Sequence, residues 1–343
     1  MLMCVLMALG AMAADTVRVA AVQCPSTMGK TEANLRNITN LVRMAAAQGA
    51  KIVVLPECAV QGYLDPITWS SWSKMPDDGN PVQRVAEPVP GPATRTLSHL
   101  ADELNIYLCA GLIEVKSNTF FNAQVLIAPD GAIIAHHRKK TLWTPGDSTW
   151  CTPGKLPVQV VQTEFGNLGL MICIEFQTLP PLLAKREADI VLYSVGWYGP
   201  NEKNWFGEQF PAKSVVPYGF DVVAANWTSP TAQQSWPGRG HSCVITREGK
   251  VLAMSEAVSG NAIVLADLEI RKRSLIRDAP SVRLTRDSMD GMPVKPGPAS
   301  NSNFGDGTIG VGIGIDKTNG NSTPIPIPTP TPMTQSLTQS LHN

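Results

Sequence analysis

The sequence predicts an α/β protein in which two mixed sheets pack face to face as a four-layer α-β-β-α sandwich. Short apolar runs of strand length alternate with helical segments across residues 16–268. Several of these runs are continuously apolar, as in strands that are covered on both faces. Each half of the chain also carries a hairpin, at 121–139 and 242–254. Strands covered on both faces, together with these hairpins, predict mixed sheets with helices outside.

The individual elements are predicted from the same two patterns. Residues 16–24 alternate as a strand does, and 32–48 place apolar residues at helical spacing between Thr31 and Gly49, which can cap and end a helix. The further strands are predicted at 51–57, 106–114, the hairpin 121–139, two runs within 158–175, 188–197, 221–227, the hairpin 242–254 and 262–268. The further helices are predicted at about 91–104, in a short stretch after Pro180 and at about 202–216.

Composition excludes several classes of partner. The 343 residues are 43% hydrophobic and 16% charged, and 28 Lys and Arg balance 28 Asp and Glu. With no basic excess, we expect no nucleic acid partner. Beyond the first residues, the chain has no apolar stretch of membrane-spanning length, so we expect no stable membrane insertion.

The two ends of the chain differ from the middle. Residues 1–13 are apolar and end in Ala11-Met12-Ala13, which predicts a signal peptide and an exported protein, periplasmic or secreted. Without a signal peptide, we expect a cytoplasmic protein. A single domain is predicted over 14–283. Residues 284–343 are rich in Gly, Asn and Pro and predict a peripheral arm or a disordered tail, in which 308–315 could add an edge strand or lie along a partner subunit.

The chain has seven cysteines, of which six would remain after export. An even number in an exported protein allows disulfides, although their wide, irregular spacing does not require them. The chain contains no Cys-x-x-Cys pair, so we expect no metal site.

Three reactive residues each follow a predicted strand, where active sites gather on such scaffolds. Glu57 follows an apolar strand, and its partly buried carboxylate would suit a general base. The basic stretch 138–140 follows the first hairpin, where a fixed ammonium could stabilise an oxyanion. Cys173 ends an apolar strand before a turn and could act as a nucleophile. Taken singly, each is better explained as a strand-end carboxylate, an exposed basic turn or a buried thiol.

Together and in order, these segments resemble the nitrilase superfamily of carbon–nitrogen hydrolases. Four blocks carry the resemblance, which spans about residues 16–270. They are LPECAVQGY (55–63), HRKKTLW (137–143), FGNLGLMICIEF (165–176) and GRGHSCVITREGKVLA (238–253).

The resemblance implies a role for each residue. Glu57 would be the general base and later the general acid, Lys139 would stabilise the tetrahedral intermediate, and Cys173 would be the nucleophile. The backbone N–H of Ile174 would complete the oxyanion hole. Many relatives carry a fourth catalytic residue, a glutamate. It lies between the lysine and the cysteine, where this chain reads TPGDSTWCTPG (144–154). Asp147 is the only acid in that segment, and it is either the fourth catalytic residue or an exposed turn residue.

The resemblance also implies a hydrolase that cleaves a non-peptide C–N bond of a small amide through a thioester and releases ammonia or an amine. It implies no cofactor, and a homodimer or a larger homo-oligomer. We expect the pocket to be lined by Tyr63, Phe121, Trp143, Glu175 and Trp197. We expect Trp227 to belong to the core.

Three alternatives compete with the amidase prediction. A nitrilase acting on a small nitrile ranks second, because the chain has Cys-Ile-Glu where such enzymes usually have Cys-Trp-Glu. A catalytically inactive exported binding module is the next alternative. A papain-like protease is disfavoured because none of the five histidines is a convincing partner for Cys173. An N-carbamoyl amino acid is disfavoured as substrate, because no Arg or Lys follows Cys173 before Lys185.

Overall fold

The computed structural model describes residues 15–63, 82–144, 146–196, 202–229 and 240–271, together with the backbone of 309–313. The predicted signal peptide, Trp197 and most of the predicted C-terminal arm lie outside these ranges.

Two mixed sheets form the centre of the described structure. The strands are β1 (Thr16–Gln23), β2 (Ile52–Val54), β3 (Tyr107–Lys116), β4 (Thr119–Ile127), β5 (Ile133–Arg138), β6 (Val160–Thr163), β7 (Gly166–Ile172), β8 (Ile190–Ser194), β9 (Asp221–Ala225), β10 (Cys243–Ile245), β11 (Val251–Met254), β12 (Asn261–Glu269) and β13 (Ile309–Ile313). One sheet has the order β13-β12-β1-β2-β3-β4-β5 and the other β11-β10-β9-β8-β7-β6. Parallel pairs such as β7 with β8 lie beside antiparallel pairs such as β3 with β4.

Helices cover the outer face of each sheet. They are α1 (Thr31–Ala47), α2 (Val82–Val85), α3 (Pro92–Leu104), α4 (Pro180–Lys185) and α5 (Glu202–Asn204), and α5 continues into π-helical stretches at Trp205–Gln209 and Pro211–Val215. Ile38 and Leu97 pack on the first sheet, and Phe206 and Phe210 pack on the second. A further apolar cluster fills the space between the sheets, so the predicted four-layer α-β-β-α sandwich is confirmed.

The continuous apolar runs are explained by burial on both faces. In β1, Val19 and Ala21 belong to the cluster between the sheets, whereas Ala20 and Val22 belong to the cluster under the helices. Successive side chains of a strand point to opposite faces, so a strand covered on both sides needs apolar residues at every position.

Several details differ from the sequence prediction or complete it. β2 ends at Val54 rather than at Glu57, because the chain leaves the ladder before Pro56, which has no N–H to donate. The predicted helix at 202–216 is mostly π-helical. The 308–315 run supplies the edge strand β13, parallel to β12. The six cysteines within the described ranges are free thiols, and no helix found there is long and apolar enough to cross a membrane.

Candidate active site

The three predicted catalytic residues converge at one end of the two sheets. Glu57 lies just beyond β2, Lys139 directly follows β5, and Cys173 directly follows β7. All three are buried, and Lys139 Nζ lies 2.6 Å from Glu57 Oε1. The charges of Glu57 and Lys139 both act on the Cys173 thiol. Two of these residues come from one sheet and the third from the other, so the site is formed where the sheets meet.

Asp147, the residue that the sequence left open, is a member of this cluster. Its Oδ2 lies 2.5 Å from Lys139 Nζ, and its side chain has no exposure. The Tyr63 hydroxyl donates to Oδ1 at 2.6 Å, and the Trp143 backbone N–H donates to Oδ2 at 2.9 Å. The alternative of an exposed turn residue is therefore wrong. Lys139 is held between two buried carboxylates.

Asn122 is a polar member of the cluster that sequence reasoning missed. Its Nδ2 donates to Glu57 Oε1 at 2.7 Å and lies 3.4 Å from Asp147 Oδ1. Its own Oδ1 accepts a hydrogen bond from the Cys58 thiol at 3.4 Å. An asparagine inside the apolar strand β4 was the available signal, because a buried amide needs polar partners.

Two carboxylates share one ammonium, and this imbalance sets the electrostatics. Burial raises the pKa of Glu57, the Lys139 charge opposes that rise, and the Asp147 charge adds to it, so the pKa of Glu57 is raised overall. Burial lowers the pKa of Lys139, but the charges of Asp147 and Glu57 outweigh burial and raise it well above its usual range. Lys139 therefore stays an ammonium, and Glu57 is a stronger base than an exposed glutamate.

The surroundings of Cys173 favour its protonated thiol over the thiolate. Burial raises its pKa, the Glu57 charge raises it further, and the Lys139 charge opposes both. The backbone of Gly196 also forms a hydrogen bond that favours the thiolate, but the net shift is upward.

The turn that carries the nucleophile has a strained backbone. Cys173 has a φ of 44°, in the left-handed region that residues other than glycine and asparagine rarely adopt. It begins the 3-10 turn Cys173–Gln177, and its carbonyl accepts a hydrogen bond from the Tyr193 hydroxyl at 2.7 Å. Ile174 is the second residue of that turn. Strain of this kind persists only where the surroundings fix it, and it concentrates at functional sites.

Trp227 and Gly196 form a wall behind Glu57. The Trp227 indole N–H donates to the Glu57 backbone carbonyl at 2.6 Å, and its ring packs on Tyr63 with centroids 4.5 Å apart. Trp227 is buried, as we expected for a core residue. A Cβ added at Gly196 would lie 2.5 Å from Glu57 Oε2 and would also meet the Trp227 ring, so this position excludes a side chain. No sequence pattern indicated that role for Gly196.

The structure places the residues predicted to line the pocket in different surroundings. Tyr63 is buried and bonded to Asp147, and the half-buried Trp143 lies with its ring against Gly146 in the loop before Asp147. Substrate contact by these two side chains stays a prediction. Trp197 lies outside the described residues.

Phe121 and Glu175 do not fit the predicted pocket. Phe121 neighbours Asn122 on β4, and alternation turns the two side chains to opposite faces of the sheet. The Arg138 guanidinium lies 4.0 Å from the centre of the Phe121 ring. Glu175 has no exposure, and its carboxylate accepts hydrogen bonds from the backbone N–H groups of Lys140 and Ile172 and lies 2.8 Å from His137 Nε2. It is a buried connector rather than a pocket wall.

The two adjacent histidines on β5 are each paired with a carboxylate. His136 and His137 point to opposite faces, as their positions on a strand predict, and their Nε2 atoms lie 2.8 Å from Glu114 and Glu175 respectively. Within the described ranges, no group of three or more His, Cys, Asp or Glu side chains is arranged to hold a metal ion.

An α-β-β-α sandwich with a buried glutamate, lysine and cysteine at the sheet ends defines a class of hydrolases. The chain belongs to the carbon–nitrogen hydrolase family, whose sequence profile matches residues 18–276, and thus to the nitrilase superfamily. It is an amidase-like carbon–nitrogen hydrolase.

Particular relatives agree with this assignment. The chain is 31% identical to the omega-amidase NIT2 of Bos taurus over 278 residues, which cover 76% of this chain and 92% of that protein. It is 29% identical to the omega-amidase NIT2 of Homo sapiens over 293 residues, or 81% and 98% of the two chains.

Solved structures share the fold. Nit3 of Saccharomyces cerevisiae matches with a TM-score of 0.61 and 24% identity, over 74% of this chain and 90% of that one. A mutant of the Nesterenkonia AN1 amidase matches with a TM-score of 0.60 and 22% identity, over the same shares of the two chains.

Proposed function

We propose that this enzyme hydrolyses the C–N bond of a small amide through a thioester on Cys173 and releases ammonia or an amine. The observation that carries the proposal is the buried Lys139 ammonium held between Glu57 and Asp147 beside the Cys173 thiol. The omega-amidase relatives support an amide rather than a nitrile as the substrate.

In the first step, Cys173 attacks the amide carbon. Because the resting thiol is protonated, Glu57 takes its proton as the C–S bond forms. The π electrons of the carbonyl move to its oxygen. The Lys139 ammonium and the Ile174 backbone N–H stabilise the resulting oxyanion in a water-poor environment, where charge stabilisation is strong.

In the second step, the protonated Glu57 gives its proton to the amide nitrogen, the C–N bond breaks, and a thioester remains. Glu57 then takes a proton from water as the hydroxyl oxygen adds to the thioester carbon. The C–S bond breaks, the carboxylic acid leaves, and the protonated Glu57 returns its proton to the sulfur. Asp147 keeps Lys139 protonated and in place throughout.

The test is ammonia release from a series of amides, ureas and nitriles, measured for the wild type, Cys173→Ala and Cys243→Ala. Cys243 is a fully buried free thiol under the outer helices, so it is a matched control. We expect ammonia from amides with the wild type and with Cys243→Ala, and none above background with Cys173→Ala.

Other outcomes would replace the proposal. Full activity in folded Cys173→Ala would show that Cys173 is not the nucleophile. A preference for a nitrile over its corresponding amide would make the enzyme a nitrilase. If no compound is turned over and Cys173 does not react with electrophiles, a binding module becomes the better description.

A further inference from the structure

Glu175 connects the two sides of the active site through one buried carboxylate. Its Oε1 accepts the Lys140 backbone N–H at 2.6 Å. Its Oε2 accepts the Ile172 backbone N–H at 2.9 Å and lies 2.8 Å from His137 Nε2. The side chain has no exposure, so solvent does not compete for these bonds.

The three partners lie next to the reactive residues. Lys140 and His137 flank Lys139 along the chain at the end of β5, in the seven-stranded sheet. Ile172 immediately precedes Cys173 at the end of β7, in the six-stranded sheet. One carboxylate thus bonds both sheets at the point where Lys139 and Cys173 leave them.

A local capping role accounts for only part of this arrangement. Glu175 caps the 3-10 turn that starts at Cys173 by accepting the N–H of Ile172. That single bond would satisfy a capping residue. The bonds to Lys140 and His137 cross to the other sheet, and the turn does not need them.

The chemistry of the connection makes it rigid. Both carboxylate oxygens of Glu175 accept hydrogen bonds from backbone N–H groups, and the Nε2–H tautomer of His137 can donate a third. A buried charge is tolerated when hydrogen bonds satisfy it, and bonds to a charged acceptor are shorter and stronger than neutral ones. Three such bonds fix the distance between the end of β5 and the end of β7.

We propose that Glu175 is a positioning residue of the reaction, which sets the separation between the Lys139 ammonium and the Cys173 sulfur. The inference rests on the roles proposed above for those two residues. Glu175 itself touches neither the substrate nor the reacting atoms. It acts on the reaction by holding its two neighbouring segments together.

Glu175→Gln is the direct test. A carboxamide has one acceptor oxygen and one NH₂ group, so it cannot accept donors at both positions and leaves at least one N–H facing another donor. We expect kcat to fall about 10- to 100-fold, because a displacement of about 1 Å from reactive geometry can cost about 100-fold. We expect KM to stay within about threefold, because ground-state binding is not the quantity that changes.

A substrate-free readout separates positioning from general stability. The Lys139 charge lowers the pKa of the Cys173 thiol. If Glu175→Gln lets Lys139 move away, the thiol pKa rises, and the pH profile of iodoacetamide alkylation at Cys173 shifts upward. This measurement also holds if the enzyme releases no ammonia from any amide, an outcome that would contradict the proposed function alone.

Asp221→Asn is the matched control. Asp221 is also a buried carboxylate, and it accepts a hydrogen bond from the Arg247 backbone N–H at 2.7 Å as well as bonds from the Arg247 side chain. It begins β9, at the opposite end of the parallel strands from Cys173. We expect Asp221→Asn to lower Tm but to keep kcat and the alkylation profile within twofold of the wild type.

A second pair of variants decides the matter if Glu175→Gln fails to fold. His137→Phe removes one donor to Glu175, and His137→Gln restores an N–H at a similar place. We expect His137→Phe to lower kcat about 3- to 10-fold and His137→Gln to recover most of it, as for the loss of one hydrogen bond to a charged group. Wild-type kcat and alkylation in Glu175→Gln, or in His137→Phe, would overturn the proposal. An equal loss of kcat in Asp221→Asn would also overturn it.

Discussion

Arg138 and Lys139 are neighbours at the end of β5, yet they belong to different electrostatic environments on opposite faces of the sheet. Arg138 bonds bidentately to Glu114, with Nε 2.7 Å from Oε2, and its guanidinium lies over Phe121. Lys139 faces the space between the sheets and lies between Glu57 and Asp147. Alternation along the strand separates a structural ion pair from a reactive one.

The difference lies in the ratio of carboxylates to cations. On the Arg138 face, a single buried carboxylate meets Arg138 and His136. Burial raises the pKa of Glu114, but these two partners outweigh burial and lower it overall. On the Lys139 face, two carboxylates share one ammonium, and the pKa of Glu57 is raised. A balanced cluster is inert, whereas the excess carboxylate leaves a base that can accept a proton.

The largest expected loss of kcat follows from removing the Lys139 cation. Lys139→Gln deletes the charge that stabilises the oxyanion, and we expect kcat for amide hydrolysis to fall about 10²- to 10³-fold. Steady-state ammonia release measures it, with circular dichroism to confirm the fold. A kcat within threefold of the wild type would show that Lys139 is not part of the reactive face.

Removing the Asp147 carboxylate should shift the acid limb of the pH profile of kcat/KM. The wild type loses kcat/KM as pH falls through the pKa of Glu57, since only ionised Glu57 can act as base, and that pKa lies above the usual value of about 4.3. In Asp147→Asn, the charge that raises the pKa of Glu57 is gone, so this acid limb should shift to lower pH. We also expect kcat to fall about 10-fold or more as Lys139 loses a partner. The pH dependence of kcat/KM measures the shift.

Glu114→Gln, on the Arg138 face of the sheet, is the counterpart of Asp147→Asn. We expect it to destabilise the fold, because Arg138 loses its charged partner, and to leave the acid limb unmoved. An equal shift of the limb in both variants would mean that the two faces are not electrically distinct.

Adding a side chain at Gly196, behind Glu57, should reduce kcat by an intermediate amount. In Gly196→Ala, the new Cβ would lie 2.5 Å from Glu57 Oε2, so the carboxylate must move, and we expect kcat to fall about 10-fold or more. Gly207→Ala is the control, because a Cβ there meets nothing within 4 Å. Equal kcat in the two variants would indicate that the position of Glu57 is not restricted by this wall.

The smallest expected effect compares two tyrosine hydroxyls. Tyr63 donates to Asp147 and Tyr107 donates to Glu164, each at 2.6 Å. We expect Tyr63→Phe and Tyr107→Phe each to lower the free energy of unfolding, by up to about 1.5–3 kcal/mol for a bond to a charged group. Only Tyr63→Phe should also lower kcat, by a few-fold. Denaturant unfolding and steady-state kinetics together measure the difference, and an equal kcat in both variants would count against a role for Tyr63.

The sequence predicted much of the fold because burial on both faces leaves a clear pattern. Continuous apolar runs located the central strands, and Pro-Asp-Gly located the first hairpin. The order of Glu57, Lys139 and Cys173 in matching blocks predicted the centre of the site, although no single one of them was convincing. Helix type was harder to predict, since a π-helical stretch has no distinct sequence signal in 202–216.

The parts that the sequence could not predict depend on tertiary contacts. Glu175 follows Cys173 closely in the chain, but its partners include Lys140 and His137, which only folding brings near. Gly196 matters because of atoms that lie distant in sequence, in Glu57 and Trp227. The protonated state of Cys173 depends on the sum of burial and three nearby charges, which no local pattern contains.

The central claim is that Cys173 forms a thioester with the acyl part of an amide. The most direct test is to quench the wild-type enzyme rapidly during turnover of an amide substrate and to analyse its peptides by mass spectrometry after digestion. The account predicts a mass increase equal to that acyl group on the peptide that contains Cys173, and no such increase in Cys173→Ala. An acyl group on another residue, such as Cys58, or turnover of the amide by Cys173→Ala, would contradict it.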